Sequence, residues 1–232
     1  ANIIAFIDSK YLAKYYLIEF NQMFINGKYH RKKSKLRKKK IEKFIENGNV
    51  NLFFSPQGYA MQRGVIPLIQ SAKKTIDVSI FFLTHNSLSK ELVKAHKRGV
   101  DVRVMLDATA ASNGYSKHKY LREHGISLKV ENWGGKMHMK SAVIDRKHII
   151  VGSMNWTKAG ETKNDENTII IKNSKSKANS LTRIYNVMWN SIPEKWIYSD
   201  PIPESLDSGS SCFDEIDNDF DNLIDQDEIE CN

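Results

Sequence analysis

The sequence predicts an α/β fold, in which a mixed β-sheet is flanked by helices on both faces and a small irregular acidic tail follows. Two observations over residues 51–190 carry this prediction. Short segments rich in β-branched and aromatic residues alternate with segments of helical periodicity. Two of the helical segments also end at a glycine, as helix C-caps do. Alternation of this kind favours helices packed on both faces of one sheet.

The individual elements follow from these patterns. Strands are predicted at residues 51–54, 77–83, 100–106, 127–132, 141–145, 148–151 and 167–171. Helices are predicted at residues 61–74, 87–99, 116–125 and 176–190.

The N-terminal segment resembles a later part of the chain. Residues 2–7 have a strand pattern, and residues 9–24 have a helical one with Ser9 as the N-cap. Shifted by 165 positions, residues 2–24 align without a gap on residues 167–189, with 7 identities in 23 positions. We therefore expect residues 1–24 to be the remnant strand and helix at the end of a preceding copy of the same domain.

Charge is distributed unevenly. The net charge is +8, but residues 200–232 hold 12 acidic residues and no Lys or Arg. Residues 1–199 therefore carry all 35 basic residues against 15 acidic ones, which favours anionic partners. The densest basic run, residues 30–40, is predicted to be a solvated linker or helix face, with contact to a phosphate backbone or an anionic membrane as the alternative. The resulting domain boundaries are a basic linker at 25–50, the main domain at 51–191, a Pro/Ser/Gly-rich linker at 192–211 and the tail at 212–232.

One motif carries the chemistry. His138 and Lys140 are followed by Asp145 and then by Gly152-Ser153-x-Asn155. This spacing matches the HKD signature, so residues 50–191 resemble the phospholipase D superfamily. The resemblance implies a phosphodiesterase that hydrolyses nucleic acid or phospholipid through a covalent phosphohistidine, with His138 as nucleophile or general acid.

The residues themselves agree with that chemistry. Alternation along the strand places His138 and Lys140 on one face, two residues apart. A neutral imidazole can attack phosphorus, and Lys140 can hold the phosphate oxygens. Ser153 and Asn155 share a face and can donate hydrogen bonds to the same phosphate. Cationic and neutral donors can do this work, so no catalytic cofactor is expected.

Two acidic residues near the motif have different expected roles. Asp145 belongs to the signature and should hold the local fold. By resemblance, Glu166 matches a carboxylate that orients the nucleophilic histidine in small nucleases of the family, with Asp165 as the alternative.

The family uses two HKD motifs, and this sequence has one. The second motif is expected from a missing N-terminal half of the same chain, or from a homodimer. Two other functions stay open: a phosphatidyltransferase of the same superfamily, or a catalytically incomplete binding module.

The tail carries a second motif. Six residues fall at the ligand positions of a 12-residue calcium loop, which are Asp217, Asp219, Asp221, Leu223, Asp225 and Glu228. Asn222 replaces the usual glycine, and asparagine tolerates left-handed backbone. Cys212 and Cys231 flank the loop and suggest a disulfide. We therefore expect Ca²⁺ in the tail and an extracytoplasmic location, periplasmic or secreted. No apolar run reaches the length of a membrane span.

Overall fold

The computed structural model describes residues 1–35, 49–217 and 222–231. Within these ranges the strands are β1 (Asn49–Phe54), β2 (Thr75–Ile80), β3 (Asp101–Leu106), β4 (Ser127–Val130), β5 (Lys140–Ile144), β6 (His148–Gly152) and β7 (Asn167–Lys172). All seven coincide with predicted strands, because runs of Val and Ile suit a sheet that is buried on both faces.

Helices connect and cover the strands. They are α1 (Lys10–Phe20), α2 (Ile66–Ser71), α3 (Asn86–Lys97), α4 (Ala108–Ser112), α5 (His118–Glu123), α6 (Lys158–Thr162) and α7 (Lys175–Ser191). π-Helical turns extend α1 through Ile25 and precede α2 from Met61. The glycines predicted to end α3 and α5 have φ of +86° and +83°, a backbone conformation that glycine adopts without strain.

The strands form one mixed sheet in the order β1-β7-β6-β5-β2-β3-β4. Strands β2, β3 and β4 are parallel, and the pairs β2–β5, β5–β6, β6–β7 and β1–β7 are antiparallel. A hydrophobic core lies on each face. One contains side chains of α2, α3 and α5, and the other contains α7 and Leu12 of α1.

This topology brings distant segments together along one edge of the sheet, an edge formed by the ends of the strands and not by an edge strand. The start of β5 lies beside the end of β2, since Lys140 pairs with Ile80. The end of β6 lies beside the start of β7, since Gly152 pairs with Thr168. Because antiparallel neighbours run in opposite directions, the residues before β5, after β6 and before β7 all reach this edge. The segments that carry the HKD signature therefore meet there.

The predicted strand at residues 2–7 is wrong. These residues belong to no strand. Ala1 joins the backbone of the motif segment, where its carbonyl accepts from the His138 amide at 2.8 Å. Residues 3–8 instead line a cleft with α7. A strand pairs through a sheet edge, and the edge strands here are β1 and β4, whereas residues 3–8 lie against the face of β6 and β7. The adjoining helix is confirmed, with Ser9 as its N-cap.

The basic run at residues 30–40, which we call the basic segment, also departs from its predicted solvation, since Lys33 is buried. Its ammonium bonds the carboxylate of Glu19 and lies 2.7 Å from Asp165 Oδ1. Residues 36–40, the rest of the run, lie outside the described residues. A local charge pattern cannot foresee this, because the partners lie far away in the sequence.

The tail packs against the loop that leads into the motif. Cys212 and Cys231 form a disulfide. Asp214 Oδ2 accepts from the Gly135 amide at 2.6 Å, three residues before His138. In the part of the chain that the structure covers, no helix has the length and hydropathy of a membrane span.

Gly152 gives a direct test of the β6–β7 packing. A Cβ at Gly152 would lie 2.2 Å from the Asn167 carbonyl oxygen, which is backbone and cannot move aside easily. We expect Gly152→Ala to lower the free energy of unfolding by roughly 1–3 kcal/mol, measured by urea denaturation. Gly114→Ala is the matched control, because a Cβ there meets nothing within 4 Å. Equal stabilities for the two variants would contradict this packing.

Candidate active site

His138 and Lys140 lie side by side on one aromatic ring. His138 is exposed and its ring meets that of Phe81 edge-on, with centroids 4.9 Å apart. The Lys140 ammonium lies 5.1 Å from the same Phe81 centroid and donates to the His138 carbonyl at 2.8 Å. Met137 and Met139 point the other way, into the core shared with α7. The expected alternation therefore holds, although β5 itself begins only at Lys140.

Desolvation by the surrounding protein lowers the pKa of both the imidazole and the ammonium group. Lys140 is only 5% exposed, and this burial lowers its pKa to about 8, against the opposing effect of Glu166. Burial and the neighbouring Lys140 charge lower the pKa of His138 below 6.5. At neutral pH the imidazole is therefore mainly neutral, as a nucleophile requires, while most of the lysine stays charged.

Ser153 and Asn155 follow β6 at the same edge of the sheet. Ser153 Oγ donates to Glu166 Oε2 at 2.5 Å and accepts from the Asn167 amide at 3.0 Å. Asn155 Oδ1 accepts from the Phe82 amide at 3.3 Å, which directs its amide nitrogen away from that backbone. Both side chains retain some exposure, Ser153 more than Asn155.

The acidic residues have the following contacts. Asp145 accepts from the amides of Lys73, Lys74 and Thr75 at 2.7–3.1 Å, and so ties the end of β5 to the start of β2. This geometry agrees with the expected fold-holding role. Glu166 accepts hydrogen bonds from the Ser153 hydroxyl and the Asn164 side-chain amide rather than from His138.

Asp165, the alternative to Glu166, faces the basic segment. Its carboxylate accepts from the His30 amide and lies 2.7 Å from the Lys33 ammonium. It therefore holds residues 30–33 against the domain.

Two acidic residues behind the motif escaped prediction from the sequence. Asp107 is fully buried and accepts from the amide of Met137 at 2.8 Å, one residue before His138. Glu131 accepts from the amides of Ala108 and Trp133 at 3.1 Å, and burial together with Asp107 raises its pKa to about 8. The available signal was that each follows a parallel strand directly, where carboxylates meet at one edge.

Phe81 also escaped notice, because an aromatic residue in a strand is usually core. His85, four residues on, has other contacts. It caps α3 by accepting from the Leu88 amide at 3.2 Å, and its Nε2 lies 3.3 Å from Glu161 Oε2.

The residues expected to bind calcium are only partly covered, since Asp219 and Asp221 lie outside the described residues. Asn222 has φ of +77°, and its amide donates to Asp217 Oδ2 at 3.1 Å. Asp225 accepts from the amides of Asp214 and Glu215.

Leu223 is exposed and Glu228 is 5% exposed. Over residues 1–35, 49–217 and 222–231, no three His, Cys, Asp or Glu side chains are grouped as a metal site. Calcium binding therefore stays a prediction.

The fold and the site define a phospholipase D-type α/β domain with one HKD motif. The model of the family described as cardiolipin synthase, PLD-like domain, matches residues 65–189. The chain therefore belongs to the phospholipase D-like family.

Relatives and solved structures agree. A mitochondrial cardiolipin hydrolase of Chlamydomonas reinhardtii is 31% identical over 120 residues, covering 52% of this chain and 53% of that protein. A phospholipase D of Rickettsia prowazekii is 28% identical over 131 residues, covering 56% and 63%. The match thus spans only half to two thirds of the length of these relatives. The structure of Nuc from Salmonella typhimurium, a phospholipase D family member, is 31% identical with a TM-score of 0.59, covering 63% of this chain and 97% of that one.

The protonation of Lys140 can be measured directly. In protein labelled with ¹³C-lysine, we expect one side-chain signal to titrate near pH 8, against about 10.4 for ordinary lysines. Lys140→Arg should remove that signal. If every lysine titrates above pH 10, Lys140 is not desolvated as the structure has it.

Proposed function

We propose that this protein hydrolyses phosphodiesters through a covalent phosphohistidine on His138. The observation that carries the proposal is the exposed His138 imidazole beside the Lys140 ammonium, packed on one aromatic ring. Membership of the phospholipase D-like family supports it. The named relatives act on cardiolipin or are called phospholipase D, so phosphodiester chemistry is their shared feature.

The reaction has two steps. In the first, a neutral imidazole nitrogen of His138 forms a bond to phosphorus while the bond to the leaving oxygen breaks. A second histidine, as imidazolium, gives its proton to that oxygen. In the second step, water attacks phosphorus, passes a proton to the second histidine and releases the phosphomonoester from His138. Lys140, with Ser153 and Asn155, offsets the charge that develops on the non-bridging oxygens.

The second histidine must come from another HKD motif, because the sequence contains one. A preceding copy within the same natural chain is one source, and the helix in the matching residues 9–24 supports it. A second copy of this chain is the other source.

The substrate proposal covers nucleic acid and phospholipid. The excess of basic residues before residue 200 supports a polyanion, and the names of the lipid-cleaving relatives support phospholipid. If an alcohol replaced water in the second step, the same site would act as a phosphatidyltransferase. The Cys212–Cys231 disulfide supports an extracytoplasmic location, since disulfides persist in oxidising compartments.

Turnover depends on His138. We expect the protein to nick plasmid DNA or to release choline from phosphatidylcholine vesicles, and His138→Ala to reduce that rate at least 1,000-fold, because no other group replaces the nucleophile. Gel electrophoresis and a coupled choline assay measure the two reactions. His96→Ala, on the surface of α3, is the control and should keep full activity.

Two further outcomes decide between alternatives. A specific activity of this chain that rises with protein concentration supports pairing of two copies, whereas turnover only when a preceding HKD copy is part of the same polypeptide supports both motifs within one chain. Absence of turnover on both substrates, at every concentration and with a preceding HKD copy present, would contradict the proposal and favour a catalytically incomplete binding module.

We also propose that the tail binds Ca²⁺. Its ligand set of carboxylate and carbonyl oxygens suits this ion. The left-handed backbone of Asn222 and the hydrogen bond from its amide to the Asp217 carboxylate support a loop of the required shape. Calorimetric titration with CaCl₂ should give saturable heat that Asp217→Asn together with Asp219→Asn abolishes. Glu230→Gln, outside the ligand set, should leave the heat unchanged. Absence of heat with the natural sequence would refute the site.

A further inference from the structure

A cleft that the motif does not use opens beside the site. It has a volume of about 620 Å³ and is lined by Tyr29, His30, Arg31, Lys32, Lys163 and Asn164. A second hollow of about 380 Å³ shares Arg31 and continues past Gln57 and Tyr59. We call the two together the basic cleft. One wall comes from residues 29–32, which precede the region matched by the family model, and the other comes from residues 162–164 before β7.

Buried ionic contacts hold the first wall in place. The Lys33 side chain is 1% exposed and lies between the carboxylates of Glu19 and Asp165. Gln57 Nε2 donates to the carbonyls of His30 at 2.6 Å and Lys33 at 2.8 Å. These contacts therefore anchor the wall to the domain, because each of these groups would be costly to leave unpaired.

Around the basic cleft, Asp165 and Glu161 are paired or buried, whereas the basic side chains that line it are exposed. Asp165 accepts from the His30 amide and pairs with Lys33, and Glu161 is buried against His85. Arg31, Lys32 and Lys163 are exposed, and none of the three forms an ion pair with another described residue.

Arg63 adds a fourth exposed cation and lies 5.1 Å from the centroid of the Tyr59 ring. Asp165 is thus paired within the protein and Glu161 is buried, whereas the four cations face solvent.

The basic cleft is joined to the motif by direct contacts. Asn164 lines it and donates to Glu166 Oε1 at 3.3 Å, and Glu166 accepts from Ser153 Oγ at 2.5 Å. A polymer with its scissile phosphate at His138 and Ser153 can therefore continue past Asn164 toward Arg31.

We propose that the basic cleft binds the flanking phosphates of a single-stranded nucleic acid whose scissile phosphodiester lies at His138. Several exposed cations around one cleft can contact successive phosphates of a polymer, whereas a lipid headgroup presents its phosphate at one place. The exposed rings of Tyr29 and Tyr59 offer faces for base stacking. The cleavage part of this inference rests on the proposed function, while the binding part does not.

Binding to a fluorescein-labelled 12-nucleotide single strand tests the cations. Anisotropy is measured in the His138→Ala background over a salt series. Arg31→Gln/Lys32→Gln/Lys163→Gln should weaken binding at least tenfold and reduce the slope of log K against log salt by about 2, since each phosphate contact contributes about 0.7. Lys90→Gln/Lys97→Gln/Lys119→Gln removes the same charge from α3 and α5 and should leave the slope unchanged.

The rings are tested in the same assay. Tyr29→Ala/Tyr59→Ala should weaken binding roughly fivefold or more per ring. The matched control is Tyr115→Ala/Tyr198→Ala, two exposed tyrosines away from the basic cleft, and it should have no such effect. Equal losses from the cleft and control variants would overturn the proposal. So would binding to phosphatidylglycerol vesicles but not to the oligonucleotide, which would assign the basic cleft to lipid.

Failure of the basic cleft and failure of the proposed function give different results. Hydrolysis of bis(p-nitrophenyl) phosphate by the natural sequence tests the motif with a substrate that has no flanking phosphates. If that hydrolysis occurs and the oligonucleotide does not bind, the cleft proposal is overturned and the catalytic one stands. If the oligonucleotide binds through the named residues and no substrate is hydrolysed, the cleft stands as a binding site and the catalytic proposal fails.

Discussion

The antiparallel pairing of β5, β6 and β7 is the constraint on which the site depends. Its register sets Ser141 beside Val151 and Gly152 beside Thr168. Groups from three separate segments are thereby fixed at one edge of the sheet. A shift of one residue in either pairing would turn the side chains to the opposite face, so the register and the site cannot change independently. The close approach of β7 to Gly152 allows no side chain at that position and helps to fix the register.

Burial on Phe81 gives the motif its electrostatic character. Lys140 is almost wholly removed from solvent, and its ammonium is held by the His138 carbonyl and the aromatic ring. Desolvation disfavours the charged forms of His138 and Lys140 and so lowers both pKa values. At neutral pH this favours a neutral imidazole beside a lysine that still carries its charge. Asp107 supports this arrangement from behind, because it fixes the backbone one residue before His138.

Prediction from the sequence succeeded where the pattern is local and failed where a partner is needed. The strand β5 and the N-cap Ser9 follow from alternation and capping chemistry within a few residues. Residues 2–7 have a similar strand pattern but lie on the face of the sheet, where no strand can pair with them. Lys33 lies in a run of basic residues that predicts solvation, yet two distant carboxylates bury it.

The sequence by itself determined the family, the α/β class and the placement of His138 and Lys140 on one face, because motif spacing and strand alternation are local properties. Only the tertiary structure decided which carboxylate meets which partner. Glu166 bonds Ser153, and Asp165 holds the basic segment. The physical reason is that the strength and direction of a carboxylate contact depend on desolvation and on distances of about 3 Å. Those quantities exist only after the chain has packed, since Ser153 and Glu166 meet across the β6–β7 pair and Lys33 meets Asp165 from more than 100 residues away.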